Sequence, residues 1–447
     1  MGTFSSMNRE QKQSVFLLQA GTFLEYFDLM LYIHMAVILN ELFFPKSDPH
    51  TTSLLAAFVF CTTFIFRPIG ALIFGWIGDH IGRKSTIIIT TAMMAISCII
   101  MANLPTYAQI GIAAAWIMTI CRIAQGMSSM GEIMGAEVYL TETIKIPARY
   151  PVVSSLCIAA DVGGFVALGI VSLVVSFGLN WRYAFWIGAS IAIVGVFARM
   201  RLRETPVFLE AKRQWLKKEI EEMNVEHDPV RGKKFNETWK EPVQTKTLIS
   251  YFLIFCGWPM CFYLGFLYFN PVLKESFGYS SEDIIRHNFL LSTMSVISSI
   301  ILTSLSCFFH PIKILKVVGF SMLILMVFLP FLVMGLTSPI QLFLIQAVIL
   351  LIPLGAAPAD AVFISHFPIY RRVTFASFLY ALSRALMFIV TSFGLIYLFH
   401  YFGHYGIWVL ALPITVAYLY GLNHFEGLER KRKLYHDFYL KRVGVVE

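Results

Sequence analysis

The chain has 447 residues, of which 57% are hydrophobic and only 14% charged, with a formal net charge of +8 and a mean hydropathy of +0.70. A soluble domain carries about 25% charged residues, so this apolar excess cannot be buried in a water-soluble core and excludes a soluble globular protein. Runs of mostly apolar residues long enough to cross a hydrocarbon core of roughly 30 Å assign the positive charge to a membrane surface and exclude nucleic acid as its partner.

The first 13 residues are polar. The apolar run that follows carries acids and lacks a small-residue cleavage site, so it reads as a first span and not as a signal peptide. Spans are expected at roughly 14–39, 54–78, 86–104, 108–140, 150–177, 183–202, 248–272, 287–308, 314–335, 339–364, 373–399 and 404–424. Helices are the default because backbone amides in lipid must bond within their own segment. The expected fold is all-α and integral to the membrane, with twelve transmembrane helices in two six-helix pseudo-repeats. Its divisions are an N-terminal half at 1–202, a linker at 203–247, a C-terminal half at 248–424 and a basic tail at 425–447. Cys61, Cys98, Cys121, Cys157, Cys256, Cys261 and Cys307 all fall inside spans. They read as small packing residues, and neither a disulfide framework nor a metal site is expected.

Span one holds Glu25, Tyr26 and Asp28; the two acids are three apart and share a helix face. Span two holds Arg67. Between spans two and three lies Gly75-Trp76-Ile77-Gly78-Asp79-His80-Ile81-Gly82-Arg83-Lys84. Gly75 and Gly78 thin the helix for close packing, and Gly82 suits a turn with positive φ. Asp79 and Arg83 form a charge cluster at a helix end, which can lock one conformation through a breakable ion pair. In span four Arg122, Gln125, Ser129 and Glu132 lie within an arc of roughly 80° at about 100° per residue. Glu25, Arg67 and Arg122 fall near mid-membrane and are expected to meet as one polar cluster. Charges there are expensive and face a partner or a water-filled path, so Glu25, Asp28 and Glu132 are candidate proton-coupling groups. A carboxylate whose neighbours change with conformation takes up a proton on one side and releases it on the other. A permanent ion pair is the plainer alternative.

After span six comes Arg203-Glu204-Thr205-Pro206-Val207-Phe208, then the charged linker. Span seven is aromatic, with Trp258, Phe262, Tyr263 and Phe266, and offers a possible cation-π surface. Span ten carries Asp360, with Pro353 and Pro358 bending or breaking it, and span eleven carries Arg384. Helix breaks at membrane depth free backbone groups for ligands. Tyr26, Arg67, Arg122, Gln125, Tyr263, Asp360 and Arg384 are the candidate substrate contacts, the arginines because a guanidinium fork matches a carboxylate. Asp161, followed by Gly163-Gly164, is a further candidate, and His366 reads as interfacial. Basic residues alternate between loops. Lys46, Arg182, Lys274 and Arg286 lie on one side, and Arg83, Lys84, Lys145, Arg149, Lys313, Lys316, Arg371, Arg372, the linker and Arg430 to Lys433 on the other. The second side is therefore expected to be cytoplasmic, with both termini there.

The Gly75 to Lys84 run resembles the signature of the major facilitator superfamily. Gly21 to Asp28, Phe66-Arg67-Pro68-Ile69-Gly70, Arg122 to Gly126, Gly131-Glu132 and Arg203 to Phe208 together resemble its metabolite:proton symporter family, which includes proline/betaine, ketoglutarate, citrate and shikimate carriers. That resemblance implies Gly75, Asp79, Gly82, Arg83 and Lys84 as a conformational latch. The chain departs from the family at Thr22, at Met130 and at His310-Pro311-Ile312-Lys313, and lacks a long coiled-coil tail. No phosphate-binding loop, metal spacing or nucleophile elbow is present. The expected function is therefore a carrier and not an enzyme, without cofactor. It moves a small carboxylate-bearing metabolite with protons across an inner membrane and acts as a monomer in lipid. A betaine- or proline-type zwitterion is the favoured cargo, with a di- or tricarboxylate or siderophore carrier, an exporter or a transporter-like receptor as the alternatives.

Overall fold

The computed structural model describes residues 7–44, 63–200, 202–210, 212–214 and 243–432. Cys61, Lys46 and most of the linker lie outside them. Among the described residues there are helices and no strands. The N-terminal half comprises α1 (Arg9–Phe43), α2 (Arg67–His80), α3 (Arg83–Asn103), α4 (Ile112–Thr143), α5 (Arg149–Ser176) and α6 (Arg182–Arg199). The C-terminal half comprises α7 (Thr245–Phe255), α8 (Gly257–Phe266), α9 (Asn270–Phe277), α10 (Ser281–Ser306), α11 (Pro311–Met334), α12 (Pro339–Leu351), α13 (Asp360–Ser365), α14 (Arg372–Phe402) and α15 (Gly406–Lys431).

Local chemistry sets these boundaries. Gly82, at φ 146°, reverses the chain between α2 and α3 in a conformation that side chains with a Cβ avoid. Ser280 and Asp283 cap α10 reciprocally, with Asp283 N–H donating to Ser280 Oγ at 3.1 Å and Ser280 N–H to Asp283 Oδ2 at 3.0 Å, and so satisfy donors that open every helix. Span ten is split into α12 and α13 across Pro353 and Pro358. Span seven, expected as one helix, is also split, at Cys256. Pro259 explains this second break, because it has no N–H and its ring crowds the carbonyl four residues earlier. The last helix continues past the expected end of span twelve to Lys431.

The bundle is inside-out relative to a soluble protein. On α11, Val317, Phe320, Ile324, Phe328 and Phe331 form an exposed apolar stripe at helical spacing, while Arg67, Arg122, Glu132 and Asp360 are buried. Among the described residues, seven helical stretches are long and apolar enough to cross a membrane by length and composition alone. α4 falls outside that set because its buried face is polar. Within the halves α3 packs on α4 and α6, and α15 on α7 and α11; between them α2 packs on α14 and α5 on α10. These two seams enclose the centre of the molecule.

Candidate functional site

The seams leave a central cavity of about 90 Å³ lined from both halves, room for a few waters or one small metabolite. Its polar wall includes Tyr26 from α1, Glu137 from α4, Asp161 from α5, Asp360 from α13, and Tyr380 and Arg384 from α14, with hydroxyls of α1, α5 and α10 beside them. The gap between α12 and α13 brings Asp360 to the cavity, at the start of the short second piece of span ten. The Arg384 guanidinium lies over the rings of Trp258 and Tyr380, 4.1 and 4.9 Å from their centroids, and its Nε and Nη1 have no hydrogen-bond partner. Asp161 accepts a hydrogen bond from Ser299 across the α5–α10 seam.

Of the residues expected to touch substrate, Tyr26, Asp360 and Arg384 line this cavity. Arg67 lines an adjoining one that shares Tyr26, Trp258 and Arg384. Arg122, Gln125 and Tyr263 are elsewhere. Tyr263 donates its hydroxyl hydrogen to the Ser392 carbonyl at 3.4 Å. Arg122 stacks 3.9 Å over Tyr32 and donates to Gln125 Oε1 at 2.8 Å. Gln125 Nε2 then bonds Cys98 Sγ at 3.3 Å, and Cys98 bonds Asp28 Oδ2 at 3.1 Å. Arg122 is thus tied through Gln125 and Cys98 to Asp28 of span one, while Arg67 and Glu25 line two further cavities.

Glu132 forms a buried ion pair with Arg199 of α6 and accepts from Thr91 at 2.8 Å and Thr90 at 3.3 Å. The Arg199 guanidinium occupies the place where a side chain at Gly21 would start. Glu25 is buried with neither carboxylate oxygen hydrogen-bonded, and Asp28 has one such oxygen. Nothing in the sequence marks Arg199, which sits at the edge of its apolar window. Glu137 falls outside the polar arc of α4, because it lies five residues beyond Glu132 and about 140° round the helix from it at about 100° per residue.

At the end of the bundle that carries the alternate basic loops, Asp79 reaches from α2 to the start of α14. It accepts from the backbone N–H of Val373 at 3.2 Å and of Thr374 at 2.9 Å, and from Thr374 Oγ at 2.7 Å. A carboxylate there meets the unpaired amides and positive end of the helix dipole. Arg83, expected as its ion-pair partner, lies 3.4 Å away on the same half. It also crosses to the Ile369 carbonyl at 2.9 Å. Glu142 ties Arg83 at 3.2 Å to Arg372 of the other half at 3.1 Å. Glu204 accepts from the backbone N–H groups of Arg83 and Lys84 at 3.1 and 3.2 Å, so the segment after span six caps α3. A Cβ at Gly75 would lie 2.8 Å from Thr374 Cα, which is why no larger residue fits there.

Two helical halves, a small polar cavity between them and a hydrogen-bonded closure at one end define a multi-pass membrane carrier. The Major Facilitator Superfamily profile matches residues 18–392, and the chain belongs to that superfamily: it is a transporter and not an enzyme. It is 36% identical over 207 residues to the inner membrane metabolite transport protein YhjE of Escherichia coli (strain K12), covering 43% of this chain and 47% of that one. It is 34% identical over 195 residues to the proline/betaine transporter of Salmonella typhimurium, covering 42% and 39%. The matched region therefore spans less than half of these relatives. Among solved structures, the proton:xylose symporter XylE bound to 6-bromo-6-deoxy-D-glucose superimposes with TM-score 0.73 at 17% identity, over 94% of this chain and 99% of that one. The human organic anion transporter MFSD10 gives 0.69 at 15%, over 93% and 100%. At such identities the likeness is one of fold.

Proposed function

We propose that the chain is a proton-coupled symporter of a small, carboxylate-bearing zwitterion, working by alternating access as a monomer in an inner membrane, with the basic end cytoplasmic. The observation that carries the coupling is Glu25, sealed from solvent with both oxygens unpaired. A buried carboxylate that no donor satisfies is too costly to keep charged and takes up a proton instead. A second conformation that wets α1 releases the proton, and the exchange is then tied to the conformational cycle. Asp28 shares this role. Glu132 does not, because Arg199 holds it as an ion pair.

Arg384 supports a carboxylate on the cargo, since its two unpaired donors are buried beside the cavity and a guanidinium binds carboxylate through paired hydrogen bonds. The relatives named for proline and betaine support a zwitterion. A dicarboxylate is the second reading, because Arg67 opens next to Arg384. The test is uptake into proteoliposomes of labelled proline, glycine betaine, ketoglutarate and citrate under an imposed pH gradient. Uphill accumulation of a zwitterion that a protonophore collapses supports the proposal. Accumulation indifferent to the gradient, or of ketoglutarate and citrate alone, overturns it.

A further inference from the structure

We infer that the cargo's cationic end is an ammonium bearing N–H groups, a primary or secondary amine, held between Glu137 and Asp360, and not a quaternary ammonium held by aromatic rings. The inference rests on the reading of the central cavity as the substrate site and narrows it.

Two features of the cavity wall decide the matter. The first concerns its rings. A quaternary ammonium is recognised by open aromatic faces within about 6 Å, yet Trp258 and Tyr380 already carry the Arg384 guanidinium at 4.1 and 4.9 Å. Trp258 also stacks on Phe262, at 5.1 Å between centroids. The Arg384 charge on those rings repels a second cation, Phe255 packs edge-on against Tyr380 at 5.3 Å between centroids, and Tyr26, the remaining ring of the wall, is by itself no cage.

The second feature is the acids. Glu137, Asp161 and Asp360 line the cavity against the single guanidinium of Arg384, so the wall carries an excess of carboxyl groups and disfavours a cargo with more negative than positive charge. Asp161 is already hydrogen-bonded to Ser299. Glu137 is not satisfied: its Oε2 is sealed from solvent with no partner. Glu137 belongs to α4 and Asp360 to α13, and both line the same cavity. Two carboxyl groups brought to one cavity from opposite halves either share a proton or are bridged by a cation, and a cargo ammonium supplies that cation. An ammonium with two or more N–H groups donates to both, while its carboxylate takes the unpaired Nε and Nη1 of Arg384. Methylating the nitrogen to the quaternary stage removes every donor and leaves Glu137 Oε2 unpaired, which is the kind of loss that a hydrogen-bonding site rejects strongly. Glu137 thereby becomes a specificity-determining residue, and the ammonium links the two halves as it binds.

The test is equilibrium binding to the full-length protein in lipid nanodiscs, by calorimetry, with no gradient. The probes are proline against N,N-dimethylproline and glycine against trimethylglycine, with citrate as an anionic control. The N–H forms are expected to bind at least tenfold more tightly than their methylated partners. Glu137→Gln is expected to weaken the N–H forms at least tenfold and leave the methylated forms unchanged, with Asp360→Asn acting in the same direction. Methylated forms binding as tightly or more tightly, binding of citrate alone, or no binding of either amino acid by the wild-type protein would each overturn the inference. Because binding is read without a gradient, a protein that prefers N–H forms but fails to accumulate them refutes proton coupling and leaves this inference standing. Gradient-driven uptake without the preference does the reverse.

Discussion

Glu132 and Arg199 are buried together among Gly21, Thr90 and Thr91, and the consequences of separating them are asymmetric. Removing one partner of a buried pair leaves an uncompensated charge and destabilises by about 3–5 kcal/mol, whereas replacing both by apolar residues is often neutral. Arg199→Met is therefore expected to lower the melting temperature in detergent markedly, and Glu132→Met with Arg199→Met to recover most of it and keep gradient-driven uptake. A stable double variant that has lost coupling would return Glu132 to the proton path. Glu25 has no such partner. Glu25→Gln is expected to abolish accumulation driven by a pH gradient while substrate exchange across the membrane persists. Full gradient-driven accumulation by this variant in proteoliposomes would show that the coupling proton binds elsewhere.

At the scale of helices, close approach is set by a few glycines. A Cβ at Gly163 would lie 2.3 Å from the Phe23 carbonyl oxygen, a backbone-to-backbone contact along the α1–α5 seam that no rotamer change relieves. Gly163→Ala is expected to destabilise by about 1–3 kcal/mol through overpacking. Gly427→Ala, with nothing within 4 Å, should instead be neutral or stabilising by about 0.5–1 kcal/mol as a helix-interior Gly replacement. Equal melting curves for the two variants would contradict this account of the seam. Helix breaks show what the sequence makes legible and what it hides. Pro353 and Pro358 announce the split of span ten because each removes a backbone donor and crowds the preceding turn. The break at Cys256 leaves the hydropathy of span seven untouched, and only Pro259 signals it. The polar arc of α4 from Arg122 to Glu132 can be read from its period, and all four residues are buried. Their partners cannot be read, since Arg199, Cys98 and Tyr32 come from other helices and no spacing along the chain encodes which helix is next to α4. For the same reason Asp79 can be read as a candidate latch, while its acceptor role toward the start of α14, 294 and 295 residues along the chain, cannot.

For the molecule as a whole, the two halves meet at the basic end through Asp79, Arg83, Glu142 and Arg372, and opening that end requires breaking these contacts together. The Asp79 carboxylate accepts from two backbone N–H groups and a hydroxyl, and a hydrogen bond to a charged group contributes about 1.5–3 kcal/mol net. Losing one such bond's worth changes the ratio of closed to open protein by about ten- to a hundredfold. Asp79→Asn removes the charge that the α14 N-terminus favours and places an NH₂ against N–H donors, so the closed state loses more than the open one. Cys157, a free thiol on the cavity wall, reports the result in a variant with the other cysteines replaced. Asp79→Asn is expected to raise its labelling by a membrane-impermeant thiol reagent applied from the basic end, with substrate affinity kept. Thr374→Ala, which removes one bond and leaves the carboxylate on the backbone amides, is expected to raise it less. A variant whose Cys157 stays protected while substrate binding disappears would move Asp79 from the closure to the binding site.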